Sequence, residues 1–276
     1  MRTRELFRPF LGLTIGDPAG IGPEIVAKTL TQEEVRVACR PLVIGEAGIM
    51  RRAMRLCRLD LPVRAIASPA EATGDPGVLE VLDLKNIDAA SCPPGVLSPQ
   101  CGRAAVEYLY KAIDLAMARE LDGVVTAPIN KEAMVQAGFK YEGHTELFAQ
   151  RTGTKDYAMM LVVGRMRVIH VSAHASLRSA CEKVKRGRIL TTIRLAHKAL
   201  RDMGSRKKRI AVAGLNPHAG EGGLFGREEI DEIAPAIEAA RAEGLEASGP
   251  YSPDTLFYRL KGGELPLPPQ PWGRLP

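Results

Sequence analysis

Aromatic residues are scarce in this 276-residue chain: six Phe, six Tyr and one Trp, 5% of the total. Binding single-stranded nucleic acid needs aromatic platforms in a basic groove, so the net charge of +6 points away from nucleic acid and towards a small anionic ligand. The densest basic run, Arg206-Lys207-Lys208-Arg209, has no interleaved aromatic and reads as a solvated turn. Cysteine is also sparse. Cys39, Cys57, Cys92, Cys101 and Cys181 are odd in number, scattered and free of any CxxC pair. That argues against a disulfide framework and a structural zinc cluster, and favours a reducing cytoplasm. No stretch approaches the roughly 20 apolar residues that span a membrane. The short apolar run near the start leads into Gly16-Asp17-Pro18, with no small-residue cleavage site, so it reads as a first strand and not a secretory signal. There is no internal repeat, and no GxGxxG dinucleotide fingerprint occurs.

What is present is a globular composition, 45% hydrophobic and 25% charged, enough for one large domain or two lobes. Strand-like and helix-like segments alternate. Strands are expected at 11–15, 41–45, 78–84, 123–127 and 210–215. Helices are expected at 23–30, through residue 56, around 105–116, at 184–203 and at 227–242. Two apolar runs, 159–163 and 167–171, flank Gly164 and read as a hairpin. The alternation predicts an α/β fold with a largely parallel sheet.

Three segments carry chemistry. Gly16-Asp17-Pro18-Ala19-Gly20-Ile21-Gly22-Pro23-Glu24 joins a strand to a helix, with glycines for a tight turn and a helix start offering free N–H groups. A plain tight turn explains it equally well. Thr126-Ala127-Pro128-Ile129-Asn130-Lys131 lies past a strand end, where open α/β sheets bind ligands. Lys131 reads as an acid/base, a phosphate contact or an ordinary surface lysine. Of the five histidines, His144 and Thr145 sit at a helix start and form a candidate anion site. His174 and His218 each follow a strand and are candidates to converge on one metal ion. His170, within a strand, and His197, within a helix, read as core or surface residues.

Together the segments resemble the 4-hydroxythreonine-4-phosphate dehydrogenase family, including its threonate and erythronate 4-phosphate dehydrogenase paralogues. The resemblance rests on 13–24, Thr126–Lys131, Gly143–Phe148, Asn216–Gly223 and Pro253-Asp254-Thr255-Leu256-Phe257, in the family's order, and reaches about residue 260. It implies a two-lobed fold like the isocitrate and isopropylmalate dehydrogenases. The expected division is a first lobe at 1–140 joined by 250–261, a second lobe at 141–249 carrying the metal histidines, and an irregular tail at 262–276. It also implies a homodimer, NAD or NADP as cofactor, and a divalent metal (Zn, Mg, Mn or Co). His144 and Thr145 would bind a small phosphorylated hydroxy acid, and His174 and His218 would ligate the metal. Lys131 and Asp254 are the candidate catalytic acid/base groups.

The chain departs from the family pattern late. A third metal histidine is expected in a Tyr-His-Asp-Gln segment, yet no histidine follows His218. Residues 262–276 hold five prolines, a composition that continues neither sheet nor helix and reads as C-terminal truncation. Three functions stay open. The first is oxidation with decarboxylation of 4-phosphooxy-L-threonine in pyridoxal 5'-phosphate synthesis. The second is D-threonate or D-erythronate 4-phosphate dehydrogenation. The third is a non-catalytic protein that binds a nucleotide or a partner.

Overall fold

A computed structural model describes residues 8–164 and 166–262. They form two compact units that divide after Thr154. All of the expected tail at 262–276 except Gly262 lies outside the described residues.

The first unit runs β1 (Phe10–Thr14), α1 (Gly22–Leu30), α2 (Glu33–Ala38), β2 (Arg40–Gly45), α3 (Ala47–Leu56), β3 (Val63–Ile66), β4 (Leu79–Asp83), α4 (Pro99–Met117), β5 (Gly123–Thr126), α5 (Lys131–Gln136) and α6 (His144–Thr152). Its strands make one sheet in the order β3-β4-β2-β1-β5, every pairing parallel. A parallel sheet covered on both faces needs continuous apolar strands, not alternating ones. Leu42, Val43 and Ile44 of β2 are accordingly all buried. Pro23 opens α1, where a missing N–H costs nothing, and Val26, Ala27 and Leu30 turn inward. The chain steps outward from β1 to β2 and later returns to lay β5 on the other side of β1. The crevice at the carboxyl ends of β1 and β5 is therefore the place where the strand order reverses, the position at which open α/β sheets bind ligands.

Two features of this unit were not read from sequence. β3 is short and mostly exposed, so it carries little hydrophobic signal. Cys92 and Cys101 are both buried and paired as a disulfide, their Cα atoms 6.7 Å apart. This corrects the expectation of unpaired cysteines. The segment before α4 folds back and brings together two positions nine residues apart, a spacing with no motif signature.

Glu80 of β4 is 4% exposed and accepts from Thr73 N and Oγ1, both at 2.9 Å, and from Gly74 N at 3.1 Å, with Arg64 paired to it. Burial pushes its carboxyl upward, but the Thr73 and Gly74 hydrogen bonds and the Arg64 charge outweigh that and hold it low. A depressed carboxyl stabilises the fold above its unfolded value of about 4.3, and that contribution is lost as pH falls through the folded value. Glu80→Ala strands three donors and is expected to cost about 3 kcal/mol. Unfolding at pH 7 and pH 4 checks both statements, since the gap between wild type and variant should narrow in acid.

The second unit runs β6 (Met160–Val163), β7 (Met166–Ile169), α7 (Leu177–Glu182), α8 (Arg186–Asp202), β8 (Ile210–Ala213), α9 (Ala234–Ala242), β9 (Ala247–Tyr251) and α10 (Pro253–Lys261). β6 and β7 pair antiparallel, the expected hairpin, and His170 lies just beyond β7 instead of inside it. β8 and β9 pair parallel. The core is Ile189 and Ile193 of α8 against Ile233, Ala236, Ile237 and Ala240 at and along α9. The expected buried strand at 210–215 ends at Ala213 and is only half-buried, because among the described residues two strands share this sheet. The expected single helix at 227–242 opens instead with a wider π-type turn, Glu229–Ile233, before α9.

The observed division after Thr154 falls later than residue 140, because α6 packs its buried Leu147 into the cluster of Val106, Leu109, Ile113 and Met134 and Arg151 chelates Asp114 of α4. Residues 250–261 fall in the second unit, where Asp254 bonds the His218 backbone.

Candidate functional site

The reversal crevice of the first unit is built from backbone. Gly16 has φ +70°, and a Cβ there would lie 2.2 Å from Pro128 O. Only glycine adopts that conformation cheaply and leaves room for the β5 loop. Asp17 N then donates to Pro128 O at 3.0 Å and Ala127 N to Thr14 O at 3.1 Å, zipping the two loops together. Asp17, 5% exposed, accepts from Ala19 N at 2.8 Å. Its burial raises its pKa, while hydrogen bonds from the Ala19 and Gly20 backbone oppose this. Arg52 braces the loop from outside, donating to Pro18 O at 2.9 Å, Ala89 O at 2.9 Å and Cys92 O at 2.5 Å.

Asn130 caps α5 through Ala133 N at 3.0 Å, which places Lys131 at the first, exposed position of that helix. At Gly102 of α4 a Cβ would sit 2.2 Å from Ala133 O, so the two helices cross backbone to backbone. α6 begins at His144 behind Gly143, with no side-chain cap. His144 donates towards the Ala127 carbonyl, tying it to the β5 loop, while burial, the larger effect, pushes the imidazole pKa down. Its Nε2 is buried with no protein partner, as is Thr14 Oγ1 at the end of β1. The uncapped helix start leaves N–H groups free, and the unpartnered Nε2 beside them is the acceptor nitrogen of a ring whose proton faces Ala127 O. Thr145 follows in the same turn.

A depressed histidine stabilises the fold above its unfolded value of about 6.5 and loses that contribution as pH falls. Wild type should therefore lose unfolding stability between pH 7 and 5 by more than His144→Gln does. Equal losses would remove His144 as a buried neutral imidazole.

The second unit holds the other predicted residues. His174 lies past β7 and His218 past β8, both exposed and both with left-handed backbone, φ 51° and 53°. Such angles are uncommon for residues with a Cβ and concentrate at functional sites. The left-handed run continues through Ala219, Gly220, Glu221 and Gly222. Asp254 Oδ2 accepts from His218 N and lies 3.1 Å from both that nitrogen and Nδ1, and from Ser252 Oγ at 2.7 Å. The Ser252 hydroxyl, foremost, and the His218 backbone hold the Asp254 carboxyl below its ordinary range. The structure thus joins His218 to Asp254 and His144 to the Thr126–Lys131 loop. Among the described residues no group of three or more His, Cys, Asp or Glu is gathered for a metal. His197, read as core or surface, is half-buried within α8.

The fold and these loops define an α/β enzyme with polar residues at its strand ends. The model of the family described as "Pyridoxal phosphate biosynthetic protein PdxA" matches residues 37–266. The chain belongs to that family, whose members similar to it are named dehydrogenases. It is 44% identical to the D-threonate 4-phosphate dehydrogenase of Cupriavidus necator, over 95% of this chain and 78% of the relative. It is also 44% identical to the 4-hydroxythreonine-4-phosphate dehydrogenase of Desulforapulum autotrophicum, over 91% of this chain and 74% of the relative. The crystal structure of 4-hydroxythreonine-4-phosphate dehydrogenase from Klebsiella pneumoniae superposes with a TM-score of 0.85 at 42% identity, covering 93% of this chain and 78% of that one.

Proposed function

We propose that the chain oxidises a small 4-phosphorylated 3-hydroxy acid with NAD or NADP, with decarboxylation of the product. The leading substrate is 4-phosphooxy-L-threonine, on the path to pyridoxal 5'-phosphate. D-threonate or D-erythronate 4-phosphate is the second reading, favoured by the D-threonate 4-phosphate dehydrogenase at 44% identity. These substrates share phosphate, carboxylate and C3 hydroxyl, and the threonine and threonate compounds differ at C2, ammonium against hydroxyl.

The observation that carries the proposal is the buried, unpartnered His144 Nε2 beside the uncapped start of α6. The phosphate would accept from the first N–H groups of α6 and the Thr145 hydroxyl, while Nε2 of His144, whose ring proton faces the Ala127 carbonyl and which burial keeps neutral near pH 7, would accept from a substrate hydroxyl. Lys131, at the start of α5, would add positive charge or take up the hydroxyl proton. A nicotinamide cofactor, when bound, would supply the hydride acceptor, and the C3 hydroxyl proton would pass to a base such as Lys131. The 3-oxo acid so formed would lose its carboxylate as carbon dioxide, and the enolate left behind would take up a proton.

His174 and His218 would hold a divalent ion. Two imidazoles are suitable donors but fall one short of the usual three protein ligands of catalytic zinc, so substrate oxygens or a further group would complete the shell. When bound, such an ion polarises the hydroxyl and the developing carbonyl. Asp254 Oδ2, 3.1 Å from Nδ1, would orient the His218 ring, as carboxylates orient metal-binding histidines generally. The reading extends to a homodimer, to an organisation like the isocitrate and isopropylmalate dehydrogenases, and to a cytoplasmic setting.

His144→Ala removes one substrate contact of the proposed set and is expected to lower kcat/KM about a hundredfold, mostly through KM. Steady-state kinetics with each substrate checks this, and an unchanged KM would place the substrate away from His144.

A further inference from the structure

The least ordinary stretch of backbone in the molecule is the turn that presents His218. Five consecutive residues, His218 to Gly222, are left-handed, and three of them carry a Cβ. Left-handed backbone is unfavourable for an L-residue, so something outside the turn must impose it. One buried carboxylate is placed to do so. Glu229 is 4% exposed, and its Oε1 accepts from Leu215 N at 2.7 Å and Asn216 N at 2.8 Å. Its Oε2 accepts from Asn216 Nδ2 at 2.9 Å, and Asn216 Nδ2 also donates to Glu228 Oε2 at 2.7 Å. The two residues that lead into the turn are thus held from three donors. The turn also closes around the same carboxylate, since a Cβ at Gly220 would lie 2.8 Å from Glu229 Oε2.

Glu229 begins the π-type turn ahead of α9. Such turns recur at functional sites because the extra residue redirects a side chain. Burial pushes the Glu229 carboxyl upward, but the Asn216 and Leu215 donors overcome it and keep the group ionised. A charged acceptor holding three N–H groups is stronger than a neutral one.

We infer that Glu229 is the positioning residue of His218: its carboxylate clamps Leu215 and Asn216 and so fixes the left-handed turn that presents the imidazole. It acts through the turn and touches no reacting atom. The inference rests on His218 belonging to the site, and the test separates the two.

Glu229→Gln keeps the volume and one acceptor oxygen but turns an N–H₂ donor towards the Asn216 amide. Asn216→Ala removes the side-chain donor of the clamp, keeps the Leu215 and Asn216 N–H bonds and so loosens the clamp in part with the buried carboxylate in place, should the first variant fold poorly. Amide hydrogen exchange over 214–226 and titration with Co²⁺, followed by its visible absorption, are read on wild type and both variants.

The expected result is exchange at least tenfold faster in 217–223, with β8 and β9 still protected, and Co²⁺ affinity reduced 10- to 100-fold, the range for groups that orient metal ligands. Unchanged exchange in the turn would overturn the clamp. Faster exchange with unchanged Co²⁺ affinity would leave Glu229 a structural residue only and overturn its positioning role. If wild type binds no Co²⁺, the metal reading fails while exchange still decides the clamp.

Discussion

His218→Ala is expected to lower metal-dependent kcat/KM by about a thousandfold, since loss of metal polarisation is worth several kcal/mol and each 1.36 kcal/mol is a factor of ten. The effect should appear in kcat, because the polarised carbonyl exists only in the transition state and after it. Stability should hardly move. The imidazole is exposed, and its one side-chain partner, Asp254, keeps the Ser252 hydroxyl and the His218 backbone N–H, which alanine also supplies. The control is Asp254→Asn, which leaves the ring present but weakens its orientation and should cost 10- to 100-fold. If His218→Ala retains wild-type kcat, the histidine has no part in the chemistry.

Gly16→Ala is expected to have the largest effect on the fold. The new methyl would lie 2.2 Å from Pro128 O and 2.9 Å from the Ala127 carbonyl carbon, on backbone with φ +70°. A left-handed alanine costs roughly 1–2 kcal/mol and overpacking against backbone about 1–3 kcal/mol more. The sum, about 2–5 kcal/mol, corresponds to a drop of very roughly 10 °C in Tm. The Asp17–Pro128 hydrogen bond must open to relieve the clash, so the crevice that His144 faces should loosen as well. Thermal unfolding and substrate KM are read together. Gly95→Ala is the comparison: φ there is +77° with nothing within 4 Å of the new methyl, so it carries the conformational cost without the clash. Equal losses at both positions would mean that the close approach to Pro128 contributes nothing.

How legible was this in the sequence? The parallel sheet of the first unit was readable because burial on both faces writes itself as apolar runs such as Leu42-Val43-Ile44. The 160–169 hairpin was readable because Gly164 separates two such runs. The elements that escaped are those whose stability comes from elsewhere. β3 is an exposed edge, β9 carries Gly249-Pro250 in its middle, and the turn at Glu229 looks like ordinary helix in any periodicity. The site residues were legible only as types at strand ends. That His144 anchors on Ala127 and that His218 meets Asp254 are facts of tertiary contact between segments 17 and 36 residues apart. Cys92 and Cys101 escaped for the same reason, as a pair made by a returning loop. Glu229 left no signal at all, because a glutamate at the start of a helix is the most ordinary of assignments.

The central claim is best tested by following nicotinamide reduction at 340 nm with NAD and with NADP. The reactions carry 4-phosphooxy-L-threonine, D-threonate 4-phosphate or D-erythronate 4-phosphate, each with a divalent metal and with chelator. Metal-dependent turnover of one of these substrates, abolished by chelator and sharply reduced in His144→Ala and His218→Ala, is the expected result. No reduction of either cofactor with any of the three, from a folded protein supplied with metal, would contradict the account.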